Sequence, residues 1–205
     1  TKEVKLETMI LHAKAVKSHT RKSLVVFDMP FKSVTNKFVT YKNAKQVLKK
    51  TKCDAIKIEG GTKTSKLIKY LTAKGIPVMG HIGMLPQYSS KYKLKGKSLP
   101  EKKRILKDAI AVAKSGAFAI VIECVVEKLA KEITQKIKIP TIGIGASKHC
   151  DGQILVADDM IGLSNFYPKF VKKYSNIRKM VDKSVKNYCR DVKLRRFPSS
   201  RYVYN

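Results

Sequence analysis

Six short apolar runs rich in β-branched residues recur along the chain: 24–27, 55–58, 76–79, 118–122, 141–144 and 154–156. Near-continuous apolarity over about four or five residues is what a parallel strand covered on both faces requires. Between the runs lie amphipathic stretches with helical spacing, roughly 5–17, 41–50, 63–74, 101–115, 126–136 and 169–190. Several of these end in small-residue turns that lead straight into the next run, as at Gly75-Ile76 and Ser115-Gly116-Ala117. Repeated β-turn-α-turn units predict an α/β fold with a parallel sheet and right-handed crossovers.

Periodicity alone leaves two architectures open, a doubly wound sheet and a closed barrel. Six strands are visible where a full (β/α)8 barrel has eight. No boundary or long linker appears before about residue 165, so 1–205 reads as a single domain. Its last forty residues become a basic helix and an irregular tail through Phe197-Pro198-Ser199-Ser200.

Composition narrows the function classes. The 205 residues are 43% hydrophobic without a low-complexity tract, as a folded globular chain requires. No apolar run approaches the ~20 residues of a membrane helix, and no signal-peptide pattern follows Thr1. The four cysteines, Cys53, Cys124, Cys150 and Cys189, have no metal-like spacing and read as free thiols in a reducing cytoplasm. The formal charge of +29 invites a nucleic-acid reading. Yet only seven of the 44 basic residues are Arg, the residue suited to bidentate phosphate and base recognition. The lysines are spread along the chain and read as a solvated surface.

Against that charge, the 15 acidic residues are informative by position. Asp28 follows LVVF, Glu59 follows AIKI and Glu123 follows FAIVI, so each closes an apolar run on its C-terminal side. Catalytic groups of parallel α/β folds sit where strands end and βα loops converge. Carboxylates gathered there repel one another unless a cation joins them, and hard oxygen donors suit Mg²⁺. Capping of the following helices, or pairing with lysines, is the simpler alternative. Lys57 shares a strand face with Glu59 and either neutralises it or holds a substrate carboxylate. His81, after Val78-Met79-Gly80, is expected at another strand end. His12 and His19 read as structural, and His149-Cys150-Asp151 is too contiguous to chelate one ion. Gly143-Ile144-Gly145-Ala146 lacks the GxGxxG spacing of a dinucleotide loop and reads as a close backbone approach.

The blocks VVFDMPF (25–31), IKIEGG (56–61), GIPVMGHIGMLPQ (75–87), VIECV (121–125) and IPTIGIGASKHCDGQILVADDMIGL (139–163) together resemble ketopantoate hydroxymethyltransferase. The likeness extends to LETMILHAKAV near the start and FPSSRYVY near the end. It implies a (β/α)8 barrel of TIM type with about six of its eight strands in this chain, and a cytoplasmic homo-oligomer, decameric in the family. It also implies Mg²⁺, with 5,10-methylenetetrahydrofolate as one-carbon donor and 3-methyl-2-oxobutanoate as the keto acid. Carried onto matching positions, Asp28 would ligate Mg²⁺ beside the substrate, Glu59 would be a metal-site carboxylate, and Glu123 would be the catalytic base. Lys57 would contact the keto acid, and His81 would line the same pocket.

The resemblance also implies two strands ahead of Thr1, the second carrying a Gly-Asp-Ser segment that supplies another metal ligand and a substrate contact. The chain is accordingly expected to be an N-terminally truncated member: an active hydroxymethyltransferase whose first strands lie outside this sequence, or an inactive remnant. In the loop 89–97 the family's Gly-Gly-Tyr stretch is replaced by Ser-Lys-Tyr-Lys-Leu-Lys-Gly.

Overall fold

A computed structural model describes residues 3–89 and 92–204; Ser90 and Lys91, inside the divergent loop, lie outside the described residues. The backbone divides into two compact units, Thr1–Ile154 and Leu155–Asn205.

The first unit holds one sheet of six parallel strands: β1 (Val26–Asp28), β2 (Ala55–Glu59), β3 (Val78–Gly83), β4 (Ala119–Glu123), β5 (Thr141–Ile144) and β6 (Gly152–Gln153). Their order in space is their order in sequence. This decides between the two architectures. A doubly wound sheet reverses its strand order at a switch point, whereas uniform right-handed crossovers in sequence order put every helix on one face. The helices are α1 (Leu6–His19), α2 (Lys37–Thr51), α3 (Thr62–Ala73), α4 (Leu99–Lys114) and α5 (Glu127–Lys136), and consecutive ones pack side by side. This is the arrangement of a (β/α) barrel wall, six strands of it.

Strand alternation then sorts the side chains. Ile56 and Ile58, Val78 and Ile82, and Ile120 and Ile122 are buried with Val47, Ile68, Leu71, Ile105, Val112 and Ile133 of the helices. Burying each such aliphatic side chain is worth about 1.5–3 kcal/mol. Gly80 belongs to the same face, where a Cβ would collide with Val112 of α4. The opposite face receives the intervening residues, and there the register aligns Asp28 with Lys57, Lys57 with Met79, Glu59 with His81, and His81 with Val121. Every polar group of interest therefore sits on the face turned away from the helices.

Helix boundaries follow local chemistry. Asn36 caps α2 by accepting from Phe38 N and Val39 N, both at 3.0 Å. Ser98 caps α4, and Glu101 folds back to accept from Gly96 N and Lys97 N, a variant of the capping box. Lys17 of α1 reaches Asp54 at 2.7 Å, and Asp54 also accepts from Val25 N, fastening α1 to the bases of β1 and β2. The Lys17 hydrogen bond, foremost, holds the Asp54 carboxyl below its ordinary range. At the far side, Asp151 accepts from Thr141 N and Oγ1 across β5 and β6, which likewise lowers its pKa.

Two expectations shift. The sixth strand is Gly152–Gln153, not the apolar run 154–156, whose Ile154 and Val156 are more than half exposed. Gly143 is indeed a close approach, since a Cβ would crowd Gln153 and Cys150. In the second unit the long helix α7 spans Ile177–Lys193, after a short α6 (Ala157–Ile161). The stretch before it is non-helical because Asn176 sets the start, accepting from Lys179 N. Among the described residues no helix is long and apolar enough to cross a membrane.

Gly83 ends β3 at φ +91°, and a Cβ there would strike the Glu123 carbonyl oxygen, which accepts from Met84 N at 2.8 Å. Gly83→Ala is expected to lower unfolding free energy by about 1–3 kcal/mol, seen as a lower urea midpoint at unchanged slope. An unaltered midpoint would contradict this packing.

Candidate active site

Asp28, Glu59 and Glu123 are the terminal residues of β1, β2 and β4, as their places after apolar runs predict. The strand ends lie side by side, so the carboxylates share one rim. His81 differs from expectation: β3 runs on to Gly83, so the histidine lies within the strand, not at its end. That position puts it between Glu59 and Glu123.

Lys57 is the hub. Its ammonium lies 2.9 Å from Asp28 Oδ1, 3.2 Å from His81 Nδ1 and 4.0 Å from Glu59 Oε1. The closest acid partner is thus Asp28 on the neighbouring strand, not Glu59 two residues along. An ammonium only donates, so Nδ1 of a neutral His81 accepts and the ring proton resides on Nε2. Nε2 in turn sits 3.1 Å from Glu123 Oε2. Neither Asp28 Oδ1 nor His81 Nε2 makes a well-directed hydrogen bond, although both atoms are buried. Two buried polar atoms short of a directed partner mark a place built to meet something further.

The three acids differ in surroundings. The Asp28 side chain is 37% exposed, against 3% for Glu59 and 8% for Glu123. Burial pushes the Glu59 carboxyl above its ordinary range, opposed by His81 and Lys57 and by the Gln87 N–H it accepts at 3.0 Å. Glu123 is followed by Cys124 at φ +49°, a conformation unusual for a side chain with a Cβ. Cys124 N donates to Ile144 O and its carbonyl accepts from Lys95 N at 2.7 Å, so the backbone behind Glu123 is clamped from both sides. Burial, with the Glu123 charge, raises the Cys124 thiol to about 11, which leaves no thiolate for chemistry at neutral pH.

Gln87 was not apparent from spacing. It is buried, its backbone N–H serves Glu59, and its side-chain amide donates to Met29 O at 2.9 Å. With the edge-on contact of Phe31 and Tyr88 rings it fastens the loop after β3 to the loop after β1. A single amide in a loop carries no periodic signal; only its place at the end of the GIPVMGHIGMLPQ block pointed toward it. His12 and His19 are exposed on α1 and form no hydrogen bond or ion pair with this cluster, and His149 lies 3.8 Å from Glu127 at the start of α5. Cys53, Cys124 and Cys150 are buried free thiols and Cys189 an exposed one.

A Mg²⁺ ion can be tested against these donors. Among the described residues no group of three or more His, Cys, Asp or Glu side chains could hold a metal. Asp28 and Glu59 flank one cation already, and Asp28 Oδ1 lacks a directed partner. That donor set fits a cation held by one or two carboxylates and completed by water and substrate, which is how Mg²⁺ is usually bound.

A sheet of this order, with acids at its strand ends and a lysine and a histidine beside them on the same face, has the layout of an enzyme of the (β/α)-barrel class. Among solved structures, 2,3-dimethylmalate lyase, a PEP mutase/isocitrate lyase superfamily member, shares the fold at TM-score 0.52 and 15% identity, over 69% of this chain and 51% of that one. A putative lyase/mutase from Burkholderia cenocepacia J2315 matches 99% of this chain and 73% of its own at TM-score 0.51 and 9% identity. In sequence, the ketopantoate hydroxymethyltransferase family profile matches residues 1–200. The 3-methyl-2-oxobutanoate hydroxymethyltransferase of Pelagibacter ubique is 50% identical over 204 residues, covering 100% of this chain and 79% of that protein. The enzyme of the same name from Anaplasma marginale is 47% identical, covering 100% and 75%. The chain belongs to the ketopantoate hydroxymethyltransferase family, a family of transferases.

The raised Glu59 pKa has a testable sign. A carboxyl whose folded pKa exceeds its unfolded value favours folding only below the unfolded value, and that contribution is lost as pH rises through the folded one. In the absence of metal, Glu59→Gln is therefore expected to melt higher than the parent at neutral pH, the gap closing as pH falls toward the ordinary carboxyl range. Thermal melts across a pH series measure this; a variant that melts lower at neutral pH would contradict it.

Proposed function

We propose that this chain transfers a hydroxymethyl group from 5,10-methylenetetrahydrofolate to 3-methyl-2-oxobutanoate, giving 2-dehydropantoate. Family membership supports the reaction class. The observation that carries the residue roles is the arrangement around Lys57: a cation and a histidine set between two strand-end carboxylates and a third.

Lys57 receives the carboxylate of the keto acid, taking up a charge it otherwise shares with Asp28 at 2.9 Å. Asp28 and Glu59 would hold Mg²⁺, which when bound supplies Lewis-acid polarisation of the keto oxygen. Glu123, buried and clamped from behind, removes the C3 proton of the keto acid. His81 Nε2, 3.1 Å from Glu123 Oε2, is close enough to donate to that carboxylate after a small turn of either group, which would steady it as it gains and loses the proton. Water adds to the bridging methylene and both of its C–N bonds break, the two water protons going to the nitrogens, so that tetrahydrofolate leaves a formaldehyde-level carbon. The enolate carbon attacks that carbon, and its oxygen, which came from water, takes the proton held by Glu123 to become the new hydroxyl. Gln87 keeps Glu59 and the β1 loop in place throughout.

The same reading places the chain in the cytoplasm as a homo-oligomer. Three buried free thiols and exposed apolar residues along α7, such as Met180, Val181 and Tyr188, support it.

The test is product formation by the purified chain with Mg²⁺, keto acid and donor. Glu123→Gln is expected to lower turnover by roughly 10²–10⁴-fold while keto-acid affinity stays within about threefold, since the base makes its contribution in the proton-transfer step. Unchanged turnover in the variant would remove Glu123 from the role of base.

A further inference from the structure

Only Gly60 and Gly61 separate Glu59 from the start of α3. One side of this turn is held by β3, since Gly60 N donates to His81 O at 2.9 Å. The other side has no local support. Gly61 occupies the N-cap position of α3 without a side chain to accept from the helix, and the first turn carries no acid. The missing acceptor comes from α4, 46 residues along the chain: Asp108 Oδ1 accepts from Thr62 N at 2.7 Å and from Thr62 Oγ1 at 2.6 Å. A Cβ on Gly61 would overlap the Asp108 carboxyl, so the glycine is what lets the carboxylate approach. Asp108 is unusual for an acid of this chain. Lys and Arg outnumber Asp and Glu 44 to 15, and Lys63, Arg104 and Lys107 line the same cavity. Among the described residues Asp108 nevertheless forms no ion pair, and its hydrogen bonds go to Thr62. Its neighbours on α4, Ile105 and Ala109, are buried in the core, so the carboxylate is carried on an anchored element.

We propose that Asp108 is a positioning residue for Glu59. A turn of two glycines has no side chains of its own to hold it. By accepting from Thr62, Asp108 fixes the start of α3 and with it the direction in which the turn delivers the Glu59 side chain. That side chain then meets Gln87 N at 3.0 Å and Lys57 Nζ at 4.0 Å. Resting on the function proposed above, the same contact keeps Glu59 in place as a metal-site carboxylate. Asp108 thus acts on the reaction through Glu59, without touching a reacting atom.

Amide hydrogen exchange of the purified chain, read by ¹H–¹⁵N NMR with neither metal nor substrate, tests this at Gln87, whose N–H is accepted by Glu59 Oε2. In Asp108→Ala the Gln87 amide is expected to exchange roughly fivefold faster, the factor that loss of one helix cap supplies. The reference is the Ile120 amide of β4, bonded to Pro140 O, which reports any general loss of stability. Asp108→Asn keeps an accepting oxygen and should hold Gln87 within about twofold of the parent. A cap of purely local importance would release Thr62 N and leave Gln87 at the parent rate relative to Ile120, and that result would overturn the proposal. Should Asp108→Ala fail to fold, Thr62→Ala, which removes only the hydroxyl donor, is expected to speed Gln87 by about two- to threefold; no change there would overturn it equally. In the working enzyme, the Mg²⁺ concentration for half-maximal rate should rise about fivefold in Asp108→Ala and recover in Asp108→Asn; an unchanged value would overturn the link to the reaction. A chain that shows the exchange pattern yet forms no product keeps the positioning of Glu59 and sinks the hydroxymethyl-transfer reading.

Discussion

A single ammonium group sets the terms for the whole site. Lys57 leaves β2 on the face away from the helices and lies between Asp28 and Glu59, with His81 as its third neighbour. Carboxylates brought to adjacent strand ends repel, and buried charges are tolerated only when paired. The lysine supplies the compensating charge before any metal or substrate arrives. In the proposed reaction a substrate carboxylate would take over the ammonium and free Asp28 as an oxygen donor. Such an exchange of ion pairs would leave no buried charge unmatched.

The fold makes that possible through register alone. Strands in sequence order, with right-handed crossovers, send one alternate set of side chains into the helices and the other set to the opposite face. Isoleucines and valines fill the first set; Lys57, Glu59, His81 and Glu123 belong to the second. A slip of one residue in β2 would drive Lys57 and Glu59 into the apolar layer, so the core that stabilises the sheet also fixes the geometry of the site. The loops add the final constraint, with Gln87 and the Phe31–Tyr88 contact linking the ends of β1 and β3.

Much of this was legible in the amino-acid order because a buried parallel strand leaves an uninterrupted apolar signature whose end is easy to see. Asp28, Glu59 and Glu123 were found that way, and Lys57 stood out as a charge inside such a run. What pairing decides was not legible: that Lys57 lies nearest Asp28 depends on the β1–β2 register, and that His81 is interior to β3 depends on where hydrogen bonding to β4 stops. Gln87 and the left-handed Cys124 act through backbone geometry, which hydrophobic spacing does not encode. The apolar run 154–156 misled for the opposite reason, since apolar content alone does not supply a strand partner. The start of α7 was set by the Asn176 cap against a continuous helical pattern.

The proposed function rests on one chemical step, removal of a proton from C3 of a branched keto acid by this cluster. Exchange of that proton for deuterium, followed by ¹H NMR of 3-methyl-2-oxobutanoate in D₂O with the purified chain and Mg²⁺ but no folate, isolates the step from donor binding. Loss of the C3 methine signal, with collapse of the methyl doublet, is expected well ahead of the rate in buffer alone. Exchange no faster than in buffer would contradict it.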